Sequence, residues 1–369
     1  LGVGVSGGEE GARFGPSLMP GGDPEAWPLV SEIFQAIAAR ADDGTPCCQW
    51  VGKGGAGHYV KMVHNGIEYG DMQLIAESWQ LMHEGLDIGM DELAEIFRQW
   101  NDGVLSSYLI DITADILGVK DEDGTPRVLK ILDSAGQKGT GRWTAIESLN
   151  VGTPLTLITE AVFARVLSSM KQERQLSSAK LGSDIKAFSG DATVAIQNIH
   201  DGLYAAKIIS YTQGFLQMRE ASKEYGWNLD FGNVALLWRA GCIIRSRFLD
   251  DIKKAYDRNP ELQSLLLDDF FADAIGSAVS GWRKTVCMAI ESGVPVPAMS
   301  SALGFYDGYR MPVLPANLLQ AQRDYFGAHT YRRTDREGVF HTLWTEPGQK
   351  EEVHDCSLHT GYIRRNRKS

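Results

Sequence analysis

One stretch of the sequence, residues 61–71, combines an amine, a carboxylic acid and other polar side chains at helical spacing. Lys61, His64 or Asn65, and Glu68 follow one another at intervals of three or four residues, so they project from one side of a helix. Their outer α-carbons would be about 10 Å apart, which suits two long side chains that hold a small extended ligand between them. A lysine acts as a base only when neutral, so burial would have to lower its pKa from about 10.4. A solvated ladder of Lys, His and Glu is the alternative that spacing alone leaves open.

Two further basic residues have unusual surroundings. Lys138 lies in the glycine-flanked stretch 134–141 together with Thr140, just ahead of a predicted helix. A lysine, a hydroxyl group and open backbone amides at a helix N-terminus form a suitable site for a phosphate. Arg165 falls inside the apolar helix 161–167, where a buried cation would need an anionic partner. Surface charge, or pairing with some of the 47 acidic residues, is the alternative for both.

Small polar groups near the two ends of the chain complete the set of candidates. Ser6, Gly7 and Gly8 offer a hydroxyl group and unhindered backbone N–H groups, suited to a carboxylate or hydroxyl of a ligand. A plain flexible turn is the alternative at these residues. Arg323 and His329 flank an aromatic stretch near the C-terminal end, where surface charge is again the alternative.

Two glycine patterns match the residue spacing of the dinucleotide-binding fingerprint but not its structural context. The stretches 2–7 and 52–57 both read G-x-G-x-x-G, but the motif works only between a strand and a helix, with an acidic residue about 20 positions later. The first stretch has one residue before it and no clean helix after it. The second follows a possible short strand, 47–51, and opens a helix, but no second strand of a βαβ unit follows. Neither stretch predicts a dinucleotide site.

Composition narrows the class of protein. The 369 residues carry a net charge of −11, which argues against a nucleic-acid-binding protein. The hydrophobic fraction of 43% is ample for a packed core. Five cysteines without metal-ligand spacing predict no metal site and free thiols in a reducing compartment, the cytoplasm. No segment reaches the roughly 20 apolar residues that span a membrane.

The pattern of elements predicts a mainly α protein. Glycine and proline are frequent in residues 1–57, which form a separate N-terminal segment. Residues 58–310 form a large all-helical domain, and residues 311–369 form an irregular tail. The predicted helices lie at roughly 58–84, 90–117, 157–179, 203–225, 233–257 and 262–291. Two similar helix–turn–helix segments, beginning at Lys61 and at Lys207, suggest an internal duplication; coincidence is the alternative.

The order of these motifs resembles that of the 6-phosphogluconate dehydrogenase family. The resemblance is carried by residues 5–12, 61–71, 133–141 and 323–329, and it extends from Val3 to about Trp344. It implies oxidative decarboxylation of 6-phosphogluconate to ribulose 5-phosphate and CO2, with reduction of NADP. It also implies a homodimer with shared active sites.

The resemblance implies a role for each candidate residue. Lys61 removes the proton from the C3 hydroxyl, and Glu68 later supplies a proton to C1. The residues implied to hold the carboxylate and hydroxyl groups of the sugar acid are Ser6, Gly7, Gly8, His64 and Asn65. The residues implied to hold the phosphate are Tyr69, Lys138, Thr140 and Arg165. Arg323 and His329 match tail residues that reach the site of the partner subunit.

The chain departs from the family at both ends. The resemblance implies that residues 1–57 are the C-terminal remnant of a Rossmann α/β domain. The main coenzyme contacts are then expected upstream of Leu1, so the chain resembles a fragment of a family member. The segment 346–369 does not resemble the family's tail, and an altered reading frame, a retained intron or a lineage-specific extension would each explain it. A second function is therefore kept open, namely a catalytically incompetent helical dimer that only binds phosphorylated sugar acids. An in-frame coenzyme-binding segment upstream in the gene would favour the active dehydrogenase over this binding-only dimer.

Overall fold

The computed structural model describes residues 1–354, which divide into two compact units between Tyr306 and Asp307. The later part of the divergent segment 346–369, including Cys356, lies outside the described residues. No helix of the described part has the length and hydropathy needed to cross a membrane.

The first unit begins with a small antiparallel sheet. Its elements are β1 (Gly2–Ser6), α1 (Gly8–Phe14), β2 (Ser17–Gly21) and α2 (Trp27–Ile37). The expectation that no clean helix follows the first glycine pattern was wrong, because α1 follows it directly; the pattern itself forms most of β1. These glycines allow close packing on the next long helix. A Cβ atom at Gly4 or Gly21 would lie only 2.6 Å from backbone atoms of Gly57.

Helices form the rest of the first unit, which confirms the mainly α prediction. The helices are α3 (Ala56–Gln80), α4 (Met90–Asn101), α5 (Tyr108–Gly118), α6 (Thr140–Asn150), α7 (Thr156–Ser169), α8 (Lys171–Leu181), α9 (Ala192–Tyr225), α10 (Phe231–Leu237), α11 (Leu249–Arg258), α12 (Asp269–Ser292) and α13 (Pro297–Tyr309), whose last three residues lie past the end of the first unit. A π-helical turn at Leu81–Gly85 extends α3. The largest apolar cluster of the core surrounds α3, α9 and α12, and two small clusters lie apart from it, one in the N-terminal region and one at Tyr69 and α7.

Three of the predicted helices are interrupted. Residues 90–117 form α4 and α5 with a turn between them, residues 157–179 form α7 and α8, which Met170 separates, and residues 233–257 form α10 and α11 with an irregular segment between them. The break within 233–257 follows from tertiary packing. Gly241 has φ of 60°, its carbonyl accepts a hydrogen bond from the Ser17 N–H at 2.8 Å, and a Cβ atom there would collide with Ala39. The apolar periodicity could not reveal this contact with the N-terminal sheet.

Buried polar side chains of α3 and α9 cap the helices that surround them. The Gln213 side-chain oxygen accepts a hydrogen bond from the N–H of Leu157, in the first turn of α7, at 3.1 Å. The Glu77 carboxylate accepts from the N–H groups of Ala298 and Met299, in the first turn of α13, at 2.8 and 2.9 Å. Such bonds satisfy N–H groups that have no partner within their own helix. The central helices therefore fix where α7 and α13 begin.

The two halves of the helical region share a local geometry. The turns after α3 and α9 each contain a residue with positive φ, Asp87 at 57° and Asn228 at 53°. The segments after α4 and α10 meet in an antiparallel bridge between Ser107 and Ser246. These matches support the predicted duplication, which stays a prediction.

The second unit contains α14 (Ala316–Gly327), β3 (Val339–Thr342) and β4 (Glu351–His354), with β3 antiparallel to β4. The expectation of an irregular tail was therefore wrong. The carboxylate of Asp324 is fully buried and organises this unit. It accepts hydrogen bonds from the Thr330 N–H, the His341 ring, the Thr342 N–H and the Trp344 indole N–H. A carboxylate with this many donors holds α14 against β3.

Candidate active site

The amine of Lys61 lies at the centre of a hydrogen-bonded cluster on α3. It donates to the Asn65 side-chain oxygen and contacts His64 Nδ1 at 3.1 Å. Burial lowers the pKa of Lys61 from 10.5 to about 8, although the Glu68 carboxylate and the Cys242 thiol oppose this change. A fraction of the amine is consequently neutral near physiological pH.

His64 joins the helix to the N-terminal sheet. Its ring is fully buried, and Nε2 lies 3.2 Å from the hydroxyl oxygen of Ser6, at the end of β1. Burial, assisted by the charge of Lys61, holds the pKa of His64 well below its usual value, so the ring is neutral. Because Lys61 can donate to Nδ1, the fitting tautomer carries its proton on Nε2 and donates to Ser6. Trp238 packs edge-on against the ring, with centroids 5.6 Å apart.

Glu68 lies one turn further along the same face. One of its carboxylate oxygens is 3.9 Å from His64 Nδ1, so the amine, the imidazole and the carboxyl group share one side of α3 as the spacing predicted. Burial raises the pKa of Glu68, and the positive charges of Lys61 and Arg165 oppose the rise. The carboxyl group can therefore retain a proton at a higher pH than an exposed glutamate.

Tyr69 and Arg165 form a second cluster beside the first. The guanidinium of Arg165 lies over the Tyr69 ring, 3.5 Å from its centroid, and donates to the Gly136 carbonyl at 3.2 Å. We expected Arg165 to have an anionic partner. It forms no ion pair among the described residues and contacts this ring, the carbonyl and the sulfur of Met72, while the negative charge of Glu68 acts on it without a direct bond. Burial lowers the pKa of Arg165.

The loop before α6 brings the remaining phosphate candidates to the same region. Thr140, the first residue of α6, accepts a hydrogen bond from the Asn65 amide at 2.9 Å. Lys138 is exposed on this loop and forms no ion pair with any described residue. The loop approaches Tyr69 closely, since a Cβ atom at Gly141 would overlap its ring.

Gly7 and Gly8 both require backbone conformations that favour glycine. Their φ angles are 123° and 61°. A Cβ atom at Gly7 would lie 2.7 Å from the Gly241 carbonyl oxygen, whereas Gly8 has open space at that position. The close contact at Gly7 holds the end of β1 in place, next to Ser6.

Arg323 and His329 belong to the second unit and are exposed there. Arg323 donates to the Gln320 side chain at 3.0 Å, and His329 contacts the Phe326 ring. Their predicted part in the site stays a prediction.

A cavity of about 700 Å³ reaches Lys61 from the N-terminal turns of α3. Its lining residues are Gly55, His58, Tyr59, Lys61, Met62, Thr140, Trp143, Ile146, Glu147, Tyr225 and Trp227. We expected one cavity that contains both Lys61 and Glu68 and lies near Lys138 and Arg165. This cavity is not that one, because only Lys61 of these four residues lines it.

The sequence analysis assigned no role to Asp71 and Lys207, although residue 71 ends the polar stretch 61–71 and Lys207 begins the second helix–turn–helix segment. Lys207 donates to Asp71 at 2.7 Å, and both side chains are almost completely buried. A lysine within the apolar stretch 205–209 of a long helix was the available signal, because a buried amine needs a partner.

Comparison with known proteins gives the chain its family. Residues 57–344 match the model described as "6-phosphogluconate dehydrogenase, C-terminal domain", and residues 1–52 match the "NAD binding domain of 6-phosphogluconate dehydrogenase". Decarboxylating 6-phosphogluconate dehydrogenases of Cunninghamella elegans and Homo sapiens are 59% and 58% identical over 350 residues. In each case the match covers 94% of this chain and 72% of the relative.

A solved structure agrees with these sequence matches. It is the Plasmodium falciparum 6-phosphogluconate dehydrogenase, described in its apo form, with its cofactor NADP+ and with its substrate 6-phosphogluconate. It superposes with a TM-score of 0.91 at 46% identity, over 93% of this chain and 74% of that one. The fold and the sequence place the chain among the oxidoreductases that decarboxylate their substrate. The chain belongs to the 6-phosphogluconate dehydrogenase family.

Proposed function

We propose that the chain supplies the substrate-binding and proton-transfer groups for the oxidative decarboxylation of 6-phosphogluconate to ribulose 5-phosphate and CO2. The observation that carries this proposal is the partly buried amine of Lys61, held between Asn65 and His64 beside the partly buried carboxyl group of Glu68. Two relatives are named as decarboxylating 6-phosphogluconate dehydrogenases, and the similar solved structure is described in complex with 6-phosphogluconate. Both descriptions support the same reaction for this chain.

The hydrogen bonds of Lys61 leave it suited to act as a base. A neutral amine has two N–H bonds and one lone pair. In this cluster the two N–H bonds donate to Asn65 Oδ1 and His64 Nδ1. The lone pair is then free for the C3 hydroxyl of the substrate, whose proton Lys61 accepts as the C3 hydrogen leaves as a hydride.

Glu68 serves the later step. Loss of the C3 hydride and of the C3 hydroxyl proton gives a β-keto acid. Its C1–C2 bond breaks to release CO2, while the protonated Lys61 returns its proton to the C3 oxygen, so that an enediol remains. The protonated carboxyl group of Glu68 then donates to the former C2, which becomes C1 of ribulose 5-phosphate, as Lys61 accepts the proton of the enediol hydroxyl. The seven-residue separation of Lys61 and Glu68 lets each group act on a different carbon of one extended molecule.

The polar groups around this pair would hold the substrate. We assign the carboxylate and hydroxyl groups to Ser6, Gly7, Gly8, His64 and Asn65, and the phosphate to Tyr69, Lys138, Thr140 and Arg165. The Arg165 fork and the Thr140 hydroxyl suit a phosphate, which accepts several charge-assisted hydrogen bonds.

NADP, as the coenzyme of this reaction, accepts the hydride when it is bound. In the two glycine patterns, Gly4, Gly52 and Gly57 pack against atoms of α3 or of the N-terminal sheet, whereas Gly55 has open space around it. Neither pattern lies in a βαβ unit of the described residues, which a pyrophosphate site of the dinucleotide-binding type requires.

We also propose a homodimer in which Arg323 and His329 enter the site of the partner subunit. Large apolar side chains are exposed along α6, α7 and α8 of the first unit. They are Trp143, Leu149, Phe163, Leu167, Leu176 and Leu181, each more than half exposed. An apolar face of this kind supports burial against a second copy. The buried thiols of Cys47, Cys48 and Cys242 support a reducing compartment, the cytoplasm.

The test measures binding and turnover separately with the full protein. Calorimetry reports the binding of 6-phosphogluconate, and the absorbance of NADPH reports turnover. We expect both for the parent protein, binding without turnover for Lys61→Met, and both again for Lys130→Met, which removes an exposed lysine of the 3-10 turn before the phosphate loop. Binding without turnover in the parent would favour the dimer that only binds sugar acids. Absence of both would overturn the proposal.

A further inference from the structure

The loop before α6, residues 131–139, has little structure of its own. Residues 131–138 are exposed, and one backbone hydrogen bond lies within this described stretch, from the Ser134 N–H to the Leu132 carbonyl at 2.8 Å. The loop nevertheless carries Lys138 and leads directly into Thr140, two of the residues assigned to the phosphate. If a ligand had to order this loop, the entropy cost would weaken its binding.

Two residues of α7 hold the middle of this loop. The Ala135 N–H donates to the Ser168 hydroxyl at 2.9 Å, and that hydroxyl donates to the Arg165 carbonyl at 2.7 Å. The Arg165 guanidinium donates to the Gly136 carbonyl at 3.2 Å. Arg165 is itself assigned to the phosphate, so these bonds fix the loop relative to another group of the same site.

Arg174, in the first turn of α8, joins the start of the loop to the end of α7. Its guanidinium donates to the Asp133 carboxylate at 2.9 Å, to the Asp133 carbonyl at 3.0 Å and to the Ser168 carbonyl at 2.9 Å. Lys171 donates to the other carboxylate oxygen of Asp133 at 2.5 Å. Because a guanidinium is planar, its N–H groups hold acceptors from two segments in one fixed arrangement, which a lysine ammonium group does not reproduce.

The partners of this ion pair are too exposed to stabilise the whole protein. The Asp133 side chain is 54% exposed, and those of Lys171 and Arg174 are 35% and 32% exposed. Ion pairs with this exposure contribute little to the free energy of unfolding. Their effect is therefore expected in the order of the loop.

We propose that Asp133 and Arg174 are positioning residues that order the loop in the free protein, so that Lys138 and Thr140 are in place when the phosphate of 6-phosphogluconate binds. Neither Asp133 nor Arg174 touches the substrate in this proposal. It rests on the proposed function, because that function assigns the phosphate to this loop. The competing explanation is attraction alone, in which the cations of Lys171 and Arg174 draw in the phosphate without ordering the loop.

Asp133→Ala separates these two roles by the sign of its effect. The variant removes a negative charge and leaves the neighbouring cations without it, so attraction alone predicts tighter binding of the phosphorylated substrate. Positioning predicts weaker binding, and we expect the KM for 6-phosphogluconate to rise about three- to tenfold. The kcat should stay within about twofold of the parent value, because the bonds to the phosphate are the same in the ground state and the transition state.

A second variant and a control complete the set. Arg174→Lys keeps the charge and removes the fork, so KM should rise here too; this variant replaces Asp133→Ala if that protein does not fold. Asp91→Ala is the matched control, because Asp91 is an exposed carboxylate on α4 that is bonded to Lys120 at 2.7 Å. It should change neither KM nor kcat.

Hydrogen exchange of the full protein without substrate reports the order of the loop and needs no turnover. Peptides that cover residues 133–139 should exchange faster in Asp133→Ala and in Arg174→Lys than in the parent. Protection of α3, which carries Lys61 and Glu68, should be the same in all the proteins. Faster exchange of the loop together with the rise in KM supports the proposal.

Three results would overturn it. The first is a KM for Asp133→Ala that is unchanged or lower. The second is a loop that exchanges at the parent rate in both variants. The third is a fall in kcat as large as the rise in KM, which would indicate general damage to the site. A parent that neither binds nor converts 6-phosphogluconate overturns the proposed function, and this inference with it, whereas an active parent whose variants keep its KM overturns this inference alone.

Discussion

Replacement of Lys61 by methionine should abolish turnover and at the same time stabilise the protein at neutral pH. The folded state lowers the pKa of Lys61 from 10.5 to about 8, chiefly through burial. At about 1.4 kcal/mol per pKa unit, keeping this amine protonated in the folded protein costs about 3 kcal/mol. Methionine has a similar length and no charge to bury, so the variant avoids that cost.

The sign of the effect follows from proton binding. Below pH 8 the amine is protonated in both states, and the full cost of burying the charge is present in the folded protein. Between pH 8 and 10.5 only the unfolded chain stays protonated, so the cost declines, and above 10.5 it is absent. The advantage of the variant should therefore be largest near neutral pH and disappear in strong alkali.

Lost hydrogen bonds offset part of the gain. Asn65 and His64 each lose a donor, at about 1 kcal/mol per bond. Since His64 Nδ1 and Asn65 Oδ1 are 3.1 Å apart, the ring can change tautomer and donate to the amide, which limits the loss. We expect a net gain of about 1–2 kcal/mol at pH 7, which for a chain of this length is a rise in Tm of about 1–3 °C.

Scanning calorimetry across this pH range, with Lys130→Met as the control, measures the effect. Turnover should be undetectable while the affinity for 6-phosphogluconate stays within about tenfold of the parent value, because the lysine acts mainly in proton transfer. A variant that is less stable than the parent at pH 7, or whose gain is the same in strong alkali, would refute the reasoning about burial. Unchanged turnover would remove Lys61 from its role as the base.

Three further variants test other parts of the structure. Burial raises the pKa of Glu77 to about 7, so unfolding free energy should decline as pH rises from about 4.5 to 7; Glu77→Gln should flatten this interval in denaturant titrations. Gly66→Ala should cost about 1–3 kcal/mol, because its Cβ atom would lie 2.6 Å from the Thr144 methyl group, whereas Gly276→Ala, with open space, should be neutral or stabilising. Asp324→Ala should remove hydrogen-exchange protection from β3 and leave that of α3 unchanged; equal protection of β3 would contradict its organising role.

Spacing along the chain was enough to predict the polar face of α3. Helical geometry alone places Lys61, His64 and Glu68 on one side, and the structure has them there. Spacing could not predict which partners limit their protonation. The contact between His64 and Ser6 spans 58 residues of sequence, and no local pattern encodes it.

The errors in the fold prediction have a common physical origin. The apolar periodicity of 233–257 continues through the irregular segment, but the contact between Gly241 and the N-terminal sheet prevents a helix there. In the second unit, the local sequence did not predict α14 and the two-stranded sheet, because hydrogen bonds to the buried carboxylate of Asp324 hold this unit together. Both results come from tertiary contacts that outweigh local propensity.

The glycines between β1 and α3 also bear on how a ligand would be received. Gly4 and Gly57 bring two backbones into direct contact, so the hydroxyl of Ser6 and the amine of Lys61 are held by rigid elements without any flexible side chain between them. The free-energy cost of ordering these two groups when a ligand binds is therefore small. Any motion that accompanies binding must arise in parts of the protein other than this junction.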